Sequence, residues 1–125
     1  MTITERAELA AEKFRSGYNC CQAVALALAD LTELSEEKLI LAASGFAAGM
    51  GNMEGSCGAL VGAVLVAGLI GMGRSARKIH EAFIREAGAP ICKTIKGVDG
   101  GVMLTSCADC VKIAVLAFGE ALGME

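Results

Sequence analysis

A chain of 125 residues with 54% hydrophobic content can enclose one core, and a net charge of −3 with no basic run excludes the clustered Lys and Arg that nucleic-acid binding needs. One proline, no tryptophan and β-branched residues scattered among Ala and Leu predict a single all-α domain over residues 1–125. The polar start, Met1-Thr2-Ile3-Thr4-Glu5-Arg6, has no apolar signal-peptide core. A cytoplasmic location is therefore expected, where cysteines serve more often as catalytic thiols or metal ligands than as structural disulfides.

In chain order, Thr4 is expected to open a first helix, with Glu5 and Glu8 near its positive end, running to about Arg15 before Gly17 ends it. Asn19 caps a second, with Gln22 as its capping-box partner, and Val24, Leu26 and Leu28 carry it to about Leu31. Ser35 caps a third, whose first turn holds Glu36 and Glu37 and whose apolar run Leu39 to Ala43 proceeds toward Phe46. Gly45, Gly49, Gly51, Gly55 and Gly58 then predict a bent loop that lets something approach its backbone. It lacks the Gly-Lys-Ser/Thr ending of a phosphate cradle and follows no strand.

Residues 55–73 carry no charge and are nearly long enough to span a bilayer, but six glycines interrupt them and no aromatic belt flanks them. They predict a buried central helix from about 56 to 70, around which about five to six helices form a compact bundle with no membrane span. Arg74, Arg77, Lys78 and Arg85 against Ile79, Phe83 and Ile84 predict a basic amphipathic helix over 74–87, a natural contact surface for a partner. A break at Gly88-Ala89-Pro90, a short turn over 91–95 and a loop over 97–101 follow. Ser106, with Asp109 three residues on, opens the last helix, which Val111, Val115, Leu116 and Phe118 carry to about Leu122.

Nearly all six cysteines fall at these helix starts: Cys20 and Cys21, Cys57, Cys92, and Cys107 with Cys110 one turn later. A thiol in a first turn faces unpaired N–H groups and the positive end of the helix dipole, which favour its thiolate. Cys107 and Cys110 form a C-x-x-C pair on one helix face, without the βαβ setting of thioredoxin-like proteins. Only one of the adjacent Cys20 and Cys21 is expected to reach a shared centre. His80, the only histidine, is expected at the surface, so zinc would need an all-cysteine site, for which the spacing supplies one close pair. Scattered soft thiolates suit an iron–sulfur cluster better. Met50, Met53 and Met72 are expected in the core, and the carboxylates form no acid–base pair.

Together, Asn19-Cys20-Cys21-Gln22-Ala23-Val24, Gly45-Phe46-Ala47-Ala48-Gly49-Met50-Gly51, Cys57-Gly58-Ala59-Leu60-Val61-Gly62-Ala63, Cys92 and Cys110 resemble the C-GCAxxG-C-C family of redox-active proteins. The central motif reads Cys-Gly-Ala-Leu-Val-Gly where that family has Gly-Cys-Ala-x-x-Gly, and no haem-attachment C-x-x-C-His is present. The resemblance implies a small helical redox protein of the kind common in anaerobic bacteria and archaea. It is similar to a segment of the split-Soret cytochromes with which an iron–sulfur centre is associated. It implies Cys20, Cys57, Cys92 and Cys110 as the four family cysteines, with Cys21 and Cys107 as extras beside two of them.

The expectation is that these four thiolates converge on an iron–sulfur cluster, flanked by N–H donors around Gly49, Gly51, Gly55 and Gly58, for one-electron transfer to a redox partner protein. Two alternatives stand beside it. One is thiol–disulfide exchange through Cys107–Cys110 or Cys20–Cys57. The other is a non-catalytic helical module that docks on a partner or forms a homodimer.

Overall fold

A computed structural model describes residues 1–98 and 100–125; residue 99 of the expected 97–101 loop lies outside the described residues. The described residues form seven α-helices joined by turns, and their single β-bridge pairs Ser56 with Ile91. Helix α1 (Ile3–Arg15) starts earlier than expected because Thr2, not Thr4, is its cap. The Glu5 N–H donates to the Thr2 hydroxyl at 3.0 Å while the Thr2 N–H donates to the Glu5 carboxylate at 2.7 Å.

Helix α2 (Cys20–Ala27) carries the Asn19–Gln22 capping box but stops short of Leu31, tightening into a 3-10 turn at Ala29–Leu31. The buried guanidinium of Arg6 accounts for the early stop. It donates to the Ala27 carbonyl at 3.0 Å and to both Asp30 carboxylate oxygens, at 2.5 and 3.1 Å. Arg6 thereby satisfies a carbonyl that a continuing helix would have used.

Helix α3 (Glu36–Ala42) is capped by Ser35 and ends before Phe46. Helices α4 (Gly58–Leu69), α5 (Ala76–Ala87), α6 (Cys92–Lys96) and α7 (Cys107–Leu122) complete the chain. The start of α7 is fixed by the Ser106 hydroxyl, which accepts from the Asp109 N–H at 3.1 Å.

Helix α7 packs against α1, α2, α4 and α5, so the centre of the bundle is shared between α4 and α7. Helix α4 buries Ala59, Leu60, Ala63, Val66 and Ala67, but Val61 and Val64 are half-buried and Leu69 is exposed. Its 12 residues rise about 18 Å, and no helix among the described residues is long and apolar enough to cross a membrane. Phe83, Phe118, Ile79, Val111 and Val115 are fully buried, each contributing about 1.5–3 kcal/mol of transfer free energy.

Glycine sets how closely α2 and α4 approach: a Cβ built on Gly62 would lie 2.8 Å from the Cys21 carbonyl oxygen. The methionines depart from expectation, since Met50 and Met72 are exposed. Met50 sits in a left-handed stretch in which Ala48, Gly49, Met50, Gly51 and Met53 all have positive φ, and the turn carries its side chain away from the core.

Candidate functional site

Cys57 is the N-cap of α4, and backbone pairing fixes its surroundings. Its N–H donates to the Pro90 carbonyl at 2.7 Å, and the Cys92 N–H donates to the Gly55 carbonyl at 3.0 Å. With the Ser56–Ile91 bridge, these bonds lay the start of α4 beside the start of α6. The glycines let the chain close on its own cysteines. A Cβ on Gly49 would lie 2.7 Å from Cys92 Cβ, and one on Gly58 would lie 2.5 Å from Cys20 Sγ. Gly55 is equally tight, its added Cβ 2.8 Å from Met50 Cγ, whereas Gly51 faces open space. What approaches the backbone at Gly49 and Gly58 is a cysteine side chain.

Across from Cys57, the first turn of α7 directs Cys110 inward, where it is fully buried. The two thiols lie near enough to govern each other's ionisation, although their residues lie on different helices. The bond from Cys110 is the main reason that Cys57 ionises low, at about 6 against an ordinary 9.0. Burial opposes this; the N–H groups of Ala59 and Leu60, short of a formal capping bond, and the charge of Lys96 assist it. Cys110 is pushed far up, first by holding the shared proton for Cys57, then by burial and the Cys57 charge. Of the two, Cys57 is the sulfur that gives up its proton first.

Lys96, at the end of α6, supplies the counter-charge. Its Nζ donates to the Thr105 carbonyl at 3.0 Å and lies 3.7 Å from Cys110 Sγ. Burial works against its ammonium, but the sulfurs of Cys110, Cys107 and Cys57 more than offset that and hold its pKa above the usual lysine range. Lys96 stands outside the set of site residues expected from the sequence. Its position one turn after Cys92 was the available signal.

The other thiols stay protonated to higher pH. Burial, then the charge of Cys57, raises Cys20 to about 11, while burial, then Cys20 and Cys57, raises Cys21 to about 12. Cys92 is likewise raised, by burial and then by Cys57. Cys57 is thus the sulfur whose charge the other inward thiols feel. Cys107 is exposed, and the buried thiol that acts most on Cys110 is Cys57. His80 is exposed on α5.

An iron–sulfur cluster needs several thiolates around one centre. Among the described residues no three His, Cys, Asp or Glu side chains are grouped so that they could hold a metal ion. What the described residues do bring together at the start of α7 is a pair of buried thiols, Cys57 and Cys110, with a lysine beside them.

Comparison with known proteins agrees with the order of these motifs. The family model described as "Putative redox-active protein (C_GCAxxG_C_C)" matches residues 18–121, all but the two ends of the chain. No curated protein and no solved structure matches.

Proposed function

The chain belongs to the C_GCAxxG_C_C family, and from that membership we propose that it works as a dithiol–disulfide redox protein with Cys57 and Cys110 as the reacting pair. The reading is supported by the meeting of three elements at one place: Lys96 Nζ lies 3.7 Å from the buried Cys110 Sγ, and Cys110 in turn holds the neighbouring Cys57 below the ordinary thiol range. A thiolate is the attacking species in disulfide exchange, and the best attacking thiol has a pKa close to ambient pH. Oxidation joins Cys57 Sγ to Cys110 Sγ. The two thiols lose two protons and two electrons, and an external disulfide accepts them and leaves as two thiols. Lys96 holds charge beside Cys110 and stabilises the thiolate that reduction regenerates.

Alkylation and mass mapping of protein treated with a disulfide oxidant, then with a dithiol reductant, tests this. The expected result is reversible loss of two free thiols, mapped to Cys57 and Cys110. The opposing result is stoichiometric iron and acid-labile sulfide in anaerobically purified protein, lost in Cys57→Ser. That would replace dithiol chemistry with one-electron transfer through a cluster, with the ligand set the sequence suggested.

A further inference from the structure

The reacting pair lies inside the protein: Cys57 is 4% exposed and Cys110 is 0% exposed. A disulfide on another molecule cannot reach either sulfur directly. One exposed thiol stands next to them: Cys107, three residues before Cys110 on the first turn of α7. Residues three apart on a helix share a face, and their Cβ atoms are about 5–6 Å apart. A disulfide needs about 3.5–4.5 Å, so the first turn of α7 must tighten by only an ångström or two. That turn has no preceding helical residues to constrain it.

Resting on the dithiol reading above, we propose that Cys107 is the outer member of a three-thiol relay, taking oxidising equivalents from external disulfides and passing them through Cys110 to Cys57. In the first step the Cys107 thiolate attacks one sulfur of the external disulfide. A mixed disulfide forms on Cys107, and the other half leaves as a thiolate that takes a proton. In the second step Cys110 attacks the Cys107 sulfur as its proton passes to the departing half, which leaves as a thiol, forming Cys107–Cys110. In the third step the Cys57 thiolate attacks Cys110 Sγ, forming Cys57–Cys110 and freeing the Cys107 thiolate beside Lys96. One disulfide is consumed and one is formed. Reduction runs the same steps in reverse.

The arrangement assigns distinct work to neighbouring groups. Cys107 meets the substrate, Cys110 is central to both exchanges, and Lys96, 3.7 Å from Cys110 Sγ, steadies the thiolates released beside it. It also assigns a substrate class: a disulfide projecting from a peptide or small molecule, able to touch a surface sulfur but not to enter the core. Cys20, which is half-buried, is the competing point of contact.

The test compares two oxidants on reduced protein: oxidised glutathione, which is bulky and polar, and diamide, which is small. In Cys107→Ser, formation of the Cys57–Cys110 crosslink by oxidised glutathione is expected to slow about tenfold or more, with diamide oxidation unchanged. In Cys110→Ser, a glutathione adduct is expected to accumulate on Cys107. An unchanged glutathione rate in Cys107→Ser, or an adduct on Cys20 instead, overturns the relay but leaves the dithiol pair standing. Failure of the wild-type protein to form Cys57–Cys110 with either oxidant overturns the dithiol reading itself. Cys107 is exposed, so its serine variant keeps the fold, and an unchanged far-ultraviolet circular dichroism spectrum checks this.

Discussion

Cys20 Sγ occupies the space into which a side chain at Gly58 would grow, 2.5 Å from the position of its first carbon. The same carbon would meet the Phe46 carbonyl oxygen at 3.0 Å and Ala47 Cα at 3.1 Å, and these are backbone atoms that cannot swing aside. Gly58→Ala is therefore expected to lose about 1–3 kcal/mol despite the better helix propensity of alanine. Gly62→Ala should behave alike, because the Cys21 carbonyl blocks it. Gly68→Ala in the same helix meets nothing within 4 Å and is exposed, so it should gain up to about 1 kcal/mol. Urea denaturation of the three variants checks the contrast; equal effects would refute close packing as the reason for these glycines.

The thiols give the reduced protein a distinctive titration. One thiolate should appear near pH 6, seen in its ultraviolet absorbance, and Cys57→Ser should abolish that step. Cys110→Ser should move it upward, since the bond from Cys110 is its main cause. A single step near 9 in the wild type would rule this out.

The same shifts set a stability profile of definite sign. Cys57 is depressed, so its contribution is present above its ordinary value of 9.0 and is lost as pH falls through about 6. Cys20 and Cys21 are raised, so theirs is present below 9.0 and is lost as pH rises through about 11 and 12. The thiol contribution should therefore peak near pH 9. Melting temperatures across pH check it, and Cys21→Ala should flatten the alkaline fall.

Arg6 is 4% exposed and ties α1 to the end of α2 through the Ala27 carbonyl and the Asp30 carboxylate. Asp30 itself is largely exposed, which moderates the charge term. Arg6→Met keeps much of the apolar stem but leaves the Ala27 carbonyl without its partner, and should cost about 1–3 kcal/mol in chemical denaturation. A neutral result would show that water replaces the guanidinium.

Local signals carried much of the fold. Asn19, Ser35 and Ser106 cap helices as their side chains and following residues predict, because a cap is decided within one turn. Thr2 was passed over for Thr4, although Glu5 sits three residues after Thr2 and marks the true capping box. The tie from Arg6 to Ala27 spans α1 and α2, and no local pattern announces it. The cysteine-rich centre was legible as a set of helix starts. Cys57 and Cys110 were expected together as two of four converging thiolates; that Cys110 is the group acting most strongly on Cys57 depends on how α4 crosses α7, which no local pattern announces. The C-x-x-C spacing pointed to Cys107 as a second partner of Cys110, and among the glycines expected beside the site Gly49 and Gly58 give room to the side chains of Cys92 and Cys20.

Cys57 and Cys110 close a loop of about 50 residues, and by chain entropy such a crosslink removes about 4 kcal/mol of freedom from the unfolded chain, an upper value for what oxidation adds to stability. Thermodynamic reciprocity makes the converse equally large: whatever the bond lends the fold, the fold lends the bond. At 30 mV for each 1.4 kcal/mol, the packing of two helices would lower the reduction potential of this couple by several tens of millivolts relative to the same thiols in a denatured chain. Loosening the bundle anywhere would then make the disulfide easier to reduce, so a partner that pries α4 from α7 would tune the couple without touching a sulfur.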